Sequence, residues 1–308
     1  MRVGYAGSPA TLESPSRTLR LGRVTDDRLR VRIAANLLAL EVILEWNAAN
    51  GIVVYRVPSG VIPYGSHPAN RLPWWDEFSV WFGRLGDMAR AEGMRLSTHP
   101  GQYTVLPSRD PSVAAAAVAE VVYNDRLLEC LGCGPEHKIV LHVGAGTPGD
   151  AAVEDRLAAA VDRLPPSARS RLVLENDERW PLDAVAAIGR RLGLPVVFDV
   201  FHHRLMPSAE PLTPREGALL AMETWTPGDG RPEVHFSTQA EGRRRGAHAD
   251  ALDEAAFTAF AAQVGDLPVD CVVETKDKER SALAAQRVLD GLAEARSGHD
   301  HALPREGR

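Results

Sequence analysis

Two hydrophobic periods alternate along this chain. Short runs such as Ile139-Val140-Leu141 and Val196-Val197-Phe198 are apolar at every position. Strands look like this when both of their faces are covered, as in a parallel sheet flanked by helices. Eight strands are predicted: Arg2 to Tyr5, Val53 to Val57, Arg95 to His99, Ile139 to Val143, Arg171 to Leu174, Val196 to Asp199, Glu233 to Phe236 and Asp270 to Glu274. Longer amphipathic stretches separate them. Asp27 to Asn50 carries Ile33, Leu37, Leu40 and Leu44 at helical spacing, and further helices are predicted near 74–92, 112–132, 151–163, 182–192, 214–223, 252–264 and 280–295. Gly93, Gly134 and Gly193 stand where helices should stop before the next strand. Eight strands alternating with eight helices is the count that closes a (β/α)8 TIM barrel, expected as one domain over residues 1–296. An open doubly wound sheet is the alternative. It would carry a glycine-rich phosphate turn after the first strand, which Gly4-Tyr5-Ala6-Gly7 matches poorly. Residues 297–308 are polar and aperiodic and are read as a disordered tail.

Composition adjusts this picture only slightly. The 308 residues are 44% hydrophobic and 25% charged, an ordinary globular balance. No apolar run reaches membrane-spanning length and the start does not resemble a secretory signal. Three cysteines make no disulfide framework, so a cytoplasmic address is expected. Cys130 and Cys133, with His137 nearby, form a lone Cys-x-x-Cys. A closed zinc site needs four ligands and no second pair stands at suitable spacing, so the motif reads as the end of a helix. The net charge of −6 argues against binding nucleic acid over the whole surface. Bound divalent cations would offset part of that charge. Arg17, Arg20 and Arg23, and later Arg243, Arg244 and Arg245, also form local basic stretches.

The informative chemistry is at the strand ends. Strand three ends at His99, strand four carries His142, strand five runs into Glu175, and strand six ends at Asp199 with His202 just beyond. Strand seven carries His235 and strand eight finishes on Glu274. In a parallel barrel these ends share one rim, so the side chains converge. Carboxylates and imidazoles gathered there without partners would be costly to bury, and divalent cations resolve the conflict. His67, after strand two, and His248, after strand seven, are additional candidates.

With these motifs in view, the chain resembles the ultraviolet damage endonucleases, DNA-repair nucleases related in fold to endonuclease IV. The matching segments are Gly4-Tyr5, Asn47 to Gly51, Tyr55-Arg56, Ser66-His67-Pro68, His99-Pro100-Gly101-Gln102-Tyr103, Leu141-His142, Leu174 to Glu178, Asp199 to His203, Gly246-Ala247-His248 and Glu274. The resemblance implies nicking of double-stranded DNA immediately 5′ to photoproducts (cyclobutane pyrimidine dimers and 6-4 photoproducts) by a monomeric, nucleoid-associated enzyme. It implies up to three divalent cations, manganese first, with zinc or magnesium as alternatives. His99, His142 and Glu175 would hold one. Glu175, Asp199, His235 and Glu274 would hold a second, and His202 and His248 a third. Tyr5, Gln102 and Tyr103 would probe the lesion, and Lys276 is a further catalytic candidate.

Two departures from the family stand out. Relatives commonly have a carboxylated lysine two residues before the strand-seven histidine, where this chain has Glu233. Glu233 shares a strand face with His235, so it is expected to supply that carboxylate directly. Where relatives tend to have an asparagine soon after the tyrosine, this chain reads Ala6-Gly7-Ser8-Pro9. Three rival readings are a sugar isomerase or epimerase of the xylose-isomerase type, an abasic-site endonuclease, and a non-catalytic damage-binding protein.

Overall fold

The structure is a computed structural model describing residues 1–300; residues 301–308, most of the expected tail, lie outside the described residues. The strands are β1 (Arg2–Ala6), β2 (Val54–Val57), β3 (Arg95–Thr98), β4 (Ile139–His142), β5 (Leu172–Glu175), β6 (Val196–Asp199), β7 (Glu233–Phe236) and β8 (Asp270–Val273). They pair in chain order, all parallel, and β8 returns to β1 through Arg2↔Asp270 to Tyr5↔Val273, closing the barrel. This is the TIM barrel expected from the alternation of periods.

Alternation along each strand sorts side chains between the barrel interior and the helix layer. Ile139, Leu141, Leu172, Leu174, Val196 and Phe198 join the large outer core with the helices, whereas Val140, Val173 and Val197 pack inside the barrel against Trp225. Two residues beyond these inner valines come His142, Glu175 and Asp199, which therefore also face inward. Register then sets the neighbours: His142 lies beside Glu175 and Asp199 beside His235.

Helix α1 (Asp26–Ala49) opens on Thr25, whose hydroxyl accepts the Arg28 N–H. The stretch expected as one helix over 74–92 is broken at Phe78 into α2 (Trp74–Glu77) and α3 (Ser79–Ala91). Helix α4 (Pro111–Cys130) starts with Asp110 accepting the N–H groups of Ser112 and Val113 and has proline in its first turn. It stops on Gly132, φ +65°, with the Cys133 N–H bonded to the Leu128 carbonyl. The left-handed stop is thus Gly132 and not Gly134. Cys130 and Cys133 are free, with thiols pushed up to about 11 and about 12 by burial, so they are poor thiolate ligands.

The remaining helices are α5 (Ala151–Val161), α6 (Pro166–Arg171), α7 (Leu182–Leu192), α8 (Val200–Leu205), α9 (Pro214–Met222), α10 (Glu254–Val264) and α11 (Glu279–Asp300). Arg171, expected to open strand five, instead ends α6. Its guanidinium bonds Asp125 at 2.6 Å and also reaches the Cys133 carbonyl. No helix among the described residues is long and apolar enough to cross a membrane.

Candidate metal centre

The C-terminal ends of the strands bring most of the sequence candidates together. His99, His142 and Glu175 each offer a ligand atom within 4.8 Å of the others, and so do Glu175, Asp199 and His235. Glu175 belongs to both groups: Oε2 lies 3.1 Å from His99 Nε2 and 3.3 Å from His142 Nε2, while Oε1 lies 2.8 Å from His235 Nδ1. The Glu274 carboxylate lies 3.6 Å from His235 Nδ1 and 3.8 Å from His248 Nδ1. His99, His142, His202 and His248 form a row of edge contacts, with ring centroids 5.0, 5.7 and 5.8 Å apart in turn.

Local chemistry fits this set to divalent cations. Glu175, Asp199 and His235 are all but fully buried; Asp199 Oδ2 is buried with no hydrogen-bond partner, and His202 Nδ1, also without one, faces Glu178 Oε2 at 3.3 Å. Buried polar atoms of this kind ordinarily find one. Mixed imidazole and carboxylate donors suit manganese or zinc. Asp199 is shared in another way: Oδ1 caps α8 by accepting the His202 N–H at 2.7 Å, leaving Oδ2 for the centre.

Charge coupling is strong. Burial, the largest single effect, would lower the His235 and His142 pKa values, but Glu175 and Glu274, joined at His142 by Asp177, together outweigh it, raising His235 to about 10 and His142 to about 9. His99, with weaker compensation, is lowered by burial. Burial raises Asp199, reinforced by the carboxylates of Glu175 and Glu274.

Glu233 points inward beside His235, but one level deeper. Its Oε1 lies 2.9 Å from His235 Nε2 and 3.2 Å from Arg56 Nη2, and Arg95 approaches within 4.0 Å from below. Glu233 falls in neither ligand group. Burial would raise its carboxyl, but the hydrogen bond to His235 and the charges of Arg95 and Arg56 bring it down to about 2. Arg56, in β2, was not among the sequence candidates. Its guanidinium sits between Glu274, Glu233 and His235 Nε2. The available signal was its position two residues after the inward Val54.

Tyr5 is corrected by the structure. It is fully buried in the outer core with Val3, on the helix side of β1, and its hydroxyl donates to Asn47 Oδ1 at 2.9 Å. It has no surface to offer DNA. His67 is exposed on the loop after β2, with its ring against Tyr64 and its Nδ1 accepting the Ala69 N–H at 3.0 Å; the structure does not bring it into either ligand group. Gln102 and Tyr103 stand exposed at the tip of the loop that begins at His99, Tyr103 with 69% of its surface accessible. Lys276 is half exposed and bonds Asp250 at 2.5 Å, on a cavity that it shares with Arg56, His99, His248, Glu274 and Lys278. Lys278, also missed in the sequence, has its ammonium pKa lowered by burial and adopts a left-handed backbone, φ 52°.

Fold and ligand set together define a TIM-barrel enzyme equipped for divalent cations. The family model described as UV-endonuclease UvdE matches residues 1–304. The UV DNA damage endonuclease of Clostridium perfringens is 32% identical over 287 residues, covering 92% of this chain and 69% of that protein. The crystal structure of SacUVDE superposes with a TM-score of 0.89 at 35% identity, over 95% of this chain and 99% of that one. Endonuclease IV from Thermus thermophilus shares the fold, with a TM-score of 0.59 at 18% identity over 96% of this chain and all of that one. The chain belongs to the UV-endonuclease UvdE family. It is accordingly an endonuclease of DNA repair, a hydrolase, and not a sugar isomerase.

Proposed function

We propose that the protein cleaves one phosphodiester of double-stranded DNA immediately 5′ to an ultraviolet photoproduct. The observation carrying this reading is that His99 both joins a ligand group and opens the loop whose tip exposes Gln102 and Tyr103. Lesion probe and hydrolytic centre are thereby fixed to each other by three intervening residues or fewer.

His99, His142 and Glu175 would hold one cation; Glu175, Asp199, His235 and Glu274 a second; His202 and His248 a third. Manganese is the first choice, with zinc or magnesium as alternatives. Such cations would supply Lewis acidity, activating water and offsetting charge on the phosphoryl oxygens. Glu175 holds the two groups together through its separate oxygens. Glu233 accepts the His235 Nε2 proton and so directs Nδ1 toward Glu175, as carboxylates behind metal-binding histidines do. Lys276 and Lys278 line the cavity where a phosphate would enter, and for Lys276 to reach that phosphate it must release Asp250. Every residue in this scheme comes from one chain, so a monomer suffices.

At the lesion, a crosslinked dimer stacks poorly, so inserting Tyr103 and Gln102 and extruding the damaged bases is easier there than in intact duplex. The test is nicking of an irradiated duplex beside an abasic one, with manganese present. Cleavage of the irradiated duplex is expected. Cutting confined to the abasic duplex would make this an abasic-site enzyme, and cutting of neither would end the photoproduct reading.

A further inference from the structure

The loop from β1 to α1 leaves the same barrel face as the metal centre and builds a second basic surface there. Arg20 and Arg23 of the loop and Arg28 and Arg32 of α1 line an open cavity of about 690 Å³. None of these four guanidinium groups forms an ion pair among the described residues, although their neighbours do: Arg17 with Glu13 at 2.8 Å, and Arg30 with Asp27 at 3.3 Å and Glu77 at 2.7 Å. Asp27, which also lines the cavity, is thus already engaged. Four guanidinium groups without an ion pair around one cavity make a local positive patch on a chain of net charge −6.

The backbone beneath these side chains is tied down. Glu279, buried under the loop, accepts the N–H groups of Ala10 and Thr11 and the Thr11 hydroxyl at 2.7–2.9 Å. Asn36, fully buried, accepts the Arg17 N–H at 3.1 Å and donates to its carbonyl at 2.9 Å. Tyr64, on the loop after β2, donates its hydroxyl to the Leu19 carbonyl at 2.6 Å. Mobile flexible arginines would have to be ordered on binding, whereas here the chain that carries them is already fixed.

We infer that Arg20, Arg23, Arg28 and Arg32 form a clamp for the sugar–phosphate backbone of duplex DNA, gripping phosphates away from the lesion. The inference rests on the proposed DNA-repair function. A clamp of this kind contributes affinity without reading sequence or damage, because phosphate contacts position a protein on the duplex and carry no base information. It gives the acidic enzyme a local basic foothold at a distance from its ligand groups, with which the cavity shares no residue.

The test measures binding of an undamaged duplex to the full-length protein by fluorescence anisotropy across a salt series. Arg20→Ser, Arg23→Ser and Arg28→Ser are combined; all three positions are exposed, so the fold is spared. The slope of log K against log salt should shrink by about 2 to 3, since each phosphate contact contributes roughly 0.9. Nicking of an irradiated duplex at saturating concentration should stay at the parent rate. The matching triple lysine variant should keep most of the slope, because a phosphate accepts any point charge. An unchanged slope in the serine variant, with the parent still nicking irradiated DNA, overturns the clamp and leaves the nuclease reading standing. A reduced slope with no nicking by the parent supports the clamp and removes the photoproduct reading. Equal loss in the lysine and serine variants also overturns the clamp.

Discussion

His235 Nε2 lies 2.9 Å from Glu233 Oε1, one level beneath the rim, while the other ring nitrogen faces Glu175 at 2.8 Å. One imidazole therefore joins a buried carboxylate to the candidate ligands. Glu233→Gln keeps an acceptor but removes the charge, and manganese affinity by calorimetry should fall about 10- to 100-fold. Glu233→Leu also strips Arg56 of a partner and should lower stability by about 3 kcal/mol or more. A glutamine variant with parental manganese affinity and nicking rate would show that Glu233 does not act through His235.

Glu175 has one oxygen in each ligand group, whereas His142 belongs to one alone. Glu175→Gln should therefore deplete metal from both groups and His142→Ala from one. Elemental analysis of the two purified variants decides this. Equal retained metal in the two would mean that Glu175 is not shared.

Two tyrosines should behave in opposite ways. Tyr103→Ala, at an exposed tip, should change stability by no more than about 0.5 kcal/mol but reduce discrimination between irradiated and undamaged duplex. Tyr5→Phe removes a buried hydroxyl from Asn47 and should lower stability by about 1 kcal/mol with discrimination intact. Competition nicking assays and thermal melts on both variants would expose a reversed assignment.

The protonated histidines give a pH signature. The pKa values of His142 and His235 are raised from 6.5 to about 9 and about 10. Their stabilising contribution in metal-free protein is fully present below about pH 6.5 and disappears as pH rises through those folded values. Metal ions compete with the same protons, so cation affinity should strengthen over that range. Melts of chelated protein from pH 6 to 10 should show a falling Tm, and addition of manganese should flatten the fall. A constant Tm for the chelated protein would contradict the histidine–carboxylate coupling.

Much of this was legible in the sequence because strand parity and barrel closure are simple rules. Continuous apolar runs locate the strands, and the titratable residues in or just after their C-terminal ends are His99, His142, Glu175, Asp199, His235 and Glu274. Tyr5 was placed at the lesion by motif matching, although its parity with Val3 already puts it among the helices. Arg56 was missed because an arginine in a short strand reads as an ordinary edge residue until closure turns it inward. The depth of Glu233 was equally hidden: parity gives the face of a strand, but only the staggered register gives the level. Arg171 and Phe78 show the usual weakness at element ends, where a buried ion pair or a break in a helix is decided by tertiary neighbours.

Arg56 also bears on the order in which the enzyme is assembled. The carboxylates of Glu274, Glu233 and Glu175 all act on the Arg56 guanidinium inside the barrel, so the fold carries its own positive charge among them. A guanidinium built into β2 travels with the chain and is present at the first moment of closure. Chelated protein should on this account still close its barrel, because the internal guanidinium offsets part of the carboxylate charge that a cation would otherwise have to offset.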